Sequence, residues 1–144
     1  MNEIKNYCIN NPYIGVHYRN TDRKTNIDKH IQKIKNQLKK NTHINTLFIA
    51  TDDYKSLHIF RSKFPNINII SYCKIKDDNI ANIHYLNNKT LKKYNLTKKQ
   101  QVLDVLIDSY LLYKSNIFIG SYITGMSKYI NLIRRTNTTN IFNE

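Results

Sequence analysis

The amino-acid sequence predicts a three-layer α/β domain with a mainly parallel sheet. Short apolar runs of strand length alternate with longer segments of helical period. Polar clusters recur just after the carboxyl ends of those runs, where open α/β sheets hold their ligands. At 144 residues the chain is long enough for one hydrophobic core and too short for two full domains of this class.

Tyr13-Ile14-Gly15-Val16-His17-Tyr18 is a strand-length apolar run that ends in the polar Arg19-Asn20-Thr21-Asp22-Arg23. Over residues 27–39, Ile27, Ile31, Ile34 and Leu38 recur at helical spacing, with Lys29, Lys33 and Lys40 on other faces. A second strand, Thr46 to Ala50, ends in Thr51-Asp52-Asp53. Either aspartate can cap the helix at 54–63, whose apolar stripe is Leu57, Phe60 and Phe64. Pro65-Asn66 breaks the chain before a third strand, Ile67 to Ser71. Residues 73–99 are polar and Lys-rich without a clear period, so mostly loop is expected there. The clearest helix, about 100–114, is expected to turn Leu103, Leu106, Ile107, Tyr110 and Leu111 inward. Asn116 to Gly120 is a fourth strand ending in Ser121. A last helix carries Met126, Tyr129, Ile130 and Ile133, and a short strand is expected at Ile141-Phe142.

The net charge is +13. A balance of this kind ordinarily points to a polyanion, either nucleic acid or an anionic membrane. Composition offers a plainer account. The chain has 21 Asn and 22 Ile, and 18 of its 23 basic residues are Lys. These are the residues that A+T-rich coding favours, so most lysines are expected on a solvated surface and nucleic acid is not the expected partner. The charge would still concentrate an anionic sugar nucleotide. Cys8 and Cys73 have no metal-ligand or CxxC spacing, and free thiols are expected. No apolar run approaches transmembrane length, and MNEIKNYCINN does not resemble a signal peptide, which leaves a cytoplasmic location as the default expectation. Sequons at Asn88, Asn95 and Asn137 are what chance gives in so Asn-rich a chain.

Three polar clusters carry the chemistry. In Ile14-Gly15-Val16-His17-Tyr18-Arg19-Asn20-Thr21-Asp22-Arg23, His17 and Arg19 alternate to one face, so both can reach a ligand at the strand end. An arginine fork suits a diphosphate. The plain alternative is a surface ion-pair cluster beside a hydrogen-bonded histidine. Asp52-Asp53 is either a second polar corner of the same crevice or only a helix cap; paired aspartates also suit Mg2+. The Ser121/Thr124 turn precedes a helix whose amides form an anion site, or is an ordinary N-cap. Asp108 lies on an otherwise apolar helix, with Asp104 one turn earlier as a competing candidate.

IGVHYRNTDR is similar to the HxRxTDK-type motif of α-1,6-fucosyltransferases, whose His-x-Arg core is shared with α-1,2- and protein O-fucosyltransferases. FIATDDYKSL resembles the second block of that superfamily, and LIDSYLLYKSNIFIGSYITGMSKY the third. The blocks occur in the family's order and cover roughly residues 13–132. The resemblance implies a Rossmann-like, nucleotide-sugar-binding domain over 1–144, corresponding to the C-terminal, donor-binding half of a GT-B fold. It implies GDP-fucose as donor substrate, with no metal and no other cofactor. By that resemblance His17 and Arg19 would contact the diphosphate, and Asp22 and Arg23 would fall on the motif's Asp and Lys. Asp52 and Asp53 would match paired aspartates, and Asp108 the aspartate that reads guanine. Ser121 and Thr124 would sit in the turn beside phosphate and ribose. Guanine suits one carboxylate because its N1–H and N2–H donors are adjacent.

The sequence also departs from the pattern. Asn20 stands where the fuller motif has a second Arg, Ile27 where an α-1,6-type enzyme has Glu, and Tyr122 and Ile123 interrupt the small polar block. The expected function is transfer of a sugar from a GDP donor to a glycan or protein hydroxyl by direct displacement at the anomeric carbon. Arg19, helped by His17 and Arg23, would neutralise the leaving diphosphate. Asp28, Asp52 or a separate acceptor-binding domain or subunit would supply the general base. The competing expectation is a non-catalytic module, derived from a truncated glycosyltransferase, that binds a nucleotide or nucleic acid.

Overall fold

The computed structural model describes residues 8–20, 25–80, 86–134 and 139–143. The element order is β1 (Ile14–Tyr18), α1 (Ile27–Lys40), β2 (Thr46–Thr51), α2 (Tyr54–Lys63), β3 (Asn68–Ile70), α3 (Asn88–Lys93), α4 (Lys98–Lys114), β4 (Ile117–Ser121), α5 (Gly125–Ile133) and β5 (Thr139–Asn143). The strands form one sheet in the order β3-β2-β1-β4-β5, and every pairing is parallel. The chain is therefore a Rossmann-like α/β domain, with a sheet that is wholly rather than mainly parallel among the described residues.

Parallel strands covered on both faces must be apolar throughout, and β1 and β4 are buried at every position. Alternation along β1 divides the core in two. Ile14, Val16 and Tyr18 pack with Ile31 and Ile34 of α1 and Leu57 and Phe60 of α2. Tyr13, with Phe48 of β2 and Phe118 of β4, packs on Ile107, Leu111 and Leu112 of α4 and Ile130 of α5. Gly15 and His17 share the Tyr13 face, so the strand's one polar side chain points toward the α4/α5 layer.

α1 is capped at both ends. The Asn26 side chain accepts from the Lys29 amide at 3.1 Å, and the Asn41 amide returns to the Gln37 carbonyl at 2.9 Å. α4 ends differently. Arg134, buried at the C-terminus of α5, donates through Nη1 to the carbonyls of Leu112 at 3.1 Å and Ser115 at 2.7 Å, and to that of Tyr113. Its Nε donates to Asn140 Oδ1 at 2.9 Å. One guanidinium thus adds donors to the carbonyls at the end of α4, where the Leu112 carbonyl also accepts from the Ser115 hydroxyl at 2.7 Å, and ties them to β5.

The described part of residues 73–99 is mostly loop, as expected, and also holds one short helix. Asn87 caps the short α3 by accepting from the Thr90 amide at 2.8 Å. Ile75, Leu91 and Leu96 close into a small apolar cluster of their own. A helix of six residues repeats its apolar position too few times to leave a period. Leu106 is not inward: it is 55% exposed, because the buried side of α4 is set by Ile107, Leu111 and Leu112. Tyr129 and Ile133 of α5 are likewise exposed. The tail strand is present and pairs with β4 from Thr139 to Asn143. Cys8 and Cys73 are not bridged. No helix among the described residues is long and apolar enough to cross a membrane.

Gly15 tests the close approach of α4 to β1. A Cβ there would lie 2.7 Å from Ser115 Oγ and 2.8 Å from Ser115 Cβ. Valine favours strands elsewhere, yet Gly15→Val is expected to lower the unfolding free energy by about 1–3 kcal/mol through overpacking. Urea denaturation checks this, and an unchanged midpoint would refute the close approach.

Candidate functional site

The carboxyl ends of β1 and β2 open on one cleft, whereas Ser121 and Thr124, at the end of β4, line neither of its chambers. His17 and Arg19 come from β1 and the residue beyond it, Ala50, Thr51 and Asp52 from β2 and its exit, Val105 and Asp108 from α4, and Met126 from α5. The cleft continues through Thr51, Asp52, Val105 and Asp108 into a second chamber. Tyr72, Cys73, Lys74, Ile75, Leu96, Gln101 and Asp104 complete that chamber. The two chambers are shallow and open to solvent, with enclosed volumes of about 40 and 50 Å³.

His17 is buried and held from behind. Its Nδ1 lies 2.7 Å from Ser127 Oγ and 3.2 Å from Thr124 Oγ1. Ser127 Oγ already accepts from the Ser121 amide at 3.2 Å, so its own proton is available for Nδ1. The same ring nitrogen thus faces two hydroxyls, which hold the imidazole in place. Ser127 was not singled out from the sequence, and a serine two residues inside a helix gives no signal. Its room comes from Gly120, where a Cβ would stand 2.6 Å from Ser127 Oγ.

Thr124 is the N-cap of α5. It accepts from the Ser127 amide at 3.3 Å and donates to the Ser121 carbonyl at 3.3 Å. The Ser121 hydroxyl accepts from the Ile123 amide at 3.4 Å. Both residues are buried in the turn that fixes His17 and the start of α5.

Asp52 is buried and organises the exit of β1. Its Oδ2 lies 3.5 Å from Arg19 Nε, and its Oδ1 accepts from the Asn20 amide at 3.3 Å. The Arg19 carbonyl in turn receives the Thr25 amide at 3.1 Å and the Thr25 hydroxyl at 2.8 Å, which closes the base of the intervening loop. Asp22 and Arg23 lie outside the described residues. Asp53 works as the cap of α2. Its carboxylate accepts from the Lys55 amide at 3.2 Å, from the Ser56 hydroxyl, and from Asn20 Nδ2 at 2.9 Å. Asn20, the residue that stands in place of a second arginine, thus stitches the β1 loop to the α2 cap. Asp28 is exposed in the first turn of α1, where the helix dipole favours an acid, and it lines neither chamber.

Asp104 and Asp108 differ in their surroundings. Asp104 Oδ1 pairs with Lys74 Nζ at 2.9 Å and accepts from Gln100 Nε2 at 3.0 Å. Asp108 has no hydrogen-bond or ion-pair partner among the described residues and lines both chambers. Burial, and then the Asp104 charge one turn away, push its carboxyl up to about 7. Among the described residues no three His, Cys, Asp or Glu side chains come together as a metal-ligand set.

No protein-family model matches the chain, and no curated protein matches it. Among solved structures it is similar to a crystal structure of POFUT1 in complex with GDP. The TM-score is 0.65 and the identity 10%, over 98% of this chain and 45% of that chain. This chain therefore spans less than half the length of that protein, and the likeness is one of fold.

The Asp108 carboxyl has a stability signature. Its folded pKa of about 7 lies above the ordinary 3.8, so the native state holds a proton that the unfolded chain has lost. Stability falls as pH rises from about 4 to 7 and is level beyond. Asp108→Asn is expected to match the parent at pH 4 and to exceed it by roughly 1–2 kcal/mol at pH 8, solvent at the cleft mouth screening part of the cost. Thermal unfolding across that range checks it; a gap that narrows with rising pH contradicts the assignment.

Proposed function

We propose that the cleft binds a GDP-sugar, GDP-fucose by the motif resemblance, and serves transfer of the sugar to a glycan or protein hydroxyl. The observation that carries this reading is Asp108, a part-buried carboxyl without a partner among the described residues, in a cleft that also holds Arg19 and His17. Keeping such a group unpaired costs stability, and a guanine edge would supply two adjacent N–H donors to it. The likeness to a GDP-bound GT-B fucosyltransferase supports the same choice of nucleotide.

In this reading the diphosphate lies by Arg19 and His17, close to the N-terminus of α5. Arg19 meets the charge that grows on the leaving diphosphate as the anomeric C–O bond breaks. Asp52 holds the Nε edge of that guanidinium, so the fork is oriented before the donor arrives. His17 is held beside it by the Ser127 and Thr124 contacts at Nδ1. Asp52 is committed to Arg19 and Asn20, and Asp28 lies away from the cleft. The base that deprotonates the acceptor is therefore assigned to a separate acceptor-binding domain or subunit.

Isothermal titration with GDP, ADP and single-stranded RNA tests the reading, with GDP expected to bind most tightly. Equal binding of all three would indicate a diffuse basic surface. Arg19→Ala is expected to weaken GDP binding by about one to two decades, the value of a charge-assisted contact. Arg61→Ala, an exposed change in α2, should leave it nearly unchanged at 0.15 M salt, where distant charges are screened over about 8 Å. Arg19→Lys keeps the charge without the fork and should recover part of the loss. Equal losses for the two alanine variants would overturn the diphosphate site.

A further inference from the structure

The chamber beyond Asp108 contains a charged pair that the transfer chemistry leaves unused. The chain leaving β3 brings Tyr72 and Lys74 to the chamber wall, which α4 completes with Asp104 and Asp108. Lys74 Nζ meets Asp104 Oδ1 at 2.9 Å, with the two side chains 31% and 25% exposed. Lys74 is an exposed residue whose ammonium this contact draws to the chamber wall. An ammonium has three N–H donors, of which Asp104 takes one. Asp104 and Asp108 are four residues apart on α4, a spacing that puts Cβ atoms about 5–6 Å from each other. Lys74 and Asp108 therefore line one chamber, with Asp104 between them in contact with Lys74.

We propose that Lys74 is a specificity-determining residue for the purine: its ammonium donates to the 6-oxo oxygen while Asp108 accepts from N1–H and N2–H, and Asp104 positions Lys74. This rests on the GDP-sugar reading above and assigns a residue to the edge of the base that Asp108 does not reach. The pair also rejects adenine twice. Its 6-amino group would turn N–H donors on the ammonium, and its bare N1 would face the carboxylate. Each mismatch strands a polar group that has already been desolvated.

The test compares GDP with 6-thio-GDP, which keeps N1–H and N2–H and replaces only the 6-oxo oxygen with a poorer acceptor. Equilibrium titration of the full chain at pH 7 is expected to give GDP a roughly tenfold preference, the worth of one charge-assisted contact. In Lys74→Met that ratio should fall to about one while GDP still binds measurably through Asp108 and Arg19. In Asp104→Asn, where the ammonium loses its anchor, an intermediate ratio is expected. A tenfold ratio that survives Lys74→Met overturns the role of Lys74 and leaves the GDP site standing. Failure of the parent chain to bind either nucleotide removes this proposal together with the reading it rests on.

Discussion

The Asn116 amide donates to the Tyr13 carbonyl at 3.0 Å, and the Tyr13 amide returns a bond to Asn116 Oδ1 at 3.0 Å. This reciprocal pair sits at the entry to β4 and sets its register on β1, Ile14 opposite Ile117. Everything at the cleft follows from that register. β1 leads to β2 on one side and pairs with β4 on the other, so the helices that follow diverge and leave a gap at the strand ends. The same register brings Gly15 under Ser115 and Gly120 under Ser127. Larger residues at either place would lift α4 or α5 off the sheet and withdraw the hydroxyl that holds His17.

Charge in the molecule is arranged against its own average. The chain carries +13 overall with only 10 acidic residues, yet Asp52, Asp104 and Asp108 all line the cleft. Two of them are matched by cations, Arg19 and Lys74, drawn from loops that follow other strands. Only Asp108 keeps a carboxyl unmatched among the described residues. The surface lysines create a long-range field that favours anions, against which these acidic side chains stand as a local exception.

How much of this could be read in advance depends on the range of each interaction. The strands and long helices were legible because burial of one face imposes a period, and β1, α1 and β2 fall within a residue of their expected bounds. Polar groups at strand ends were legible by position, which placed His17, Arg19 and Asp52 around one opening, but Thr124 lines neither chamber, and Asp108 reaches the opening from within α4. What each carboxylate does was not. Asp104 and Asp108 have the same helical environment in sequence; Lys74, some thirty residues earlier, separates them. Either aspartate could cap α2 by sequence; Asp53 takes that place by accepting from the Lys55 amide, while Asp52 turns to Arg19. Leu106 follows the apolar period of α4 and is nonetheless exposed, since the neighbouring Ile107 and Leu112 take the inward side.

The arrangement behind His17 has a consequence for how the molecule is made. His17 and Ser127 are separated by 110 residues of chain. On a ribosome adding about 5–20 residues per second, His17 is complete roughly 5–20 s before Ser127 exists. Local helices form on the microsecond scale, so α1 and α2 can close over one face of β1 early in that interval. The opposite face, with Tyr13, Gly15 and His17, must wait for α4, β4 and α5. The half-built sheet therefore has an uncovered side and an open β1 edge, the condition in which nascent chains meet chaperones or one another. A polar histidine and a glycine on that waiting face make it less adhesive than the Ile14, Val16 and Tyr18 face, which is covered first.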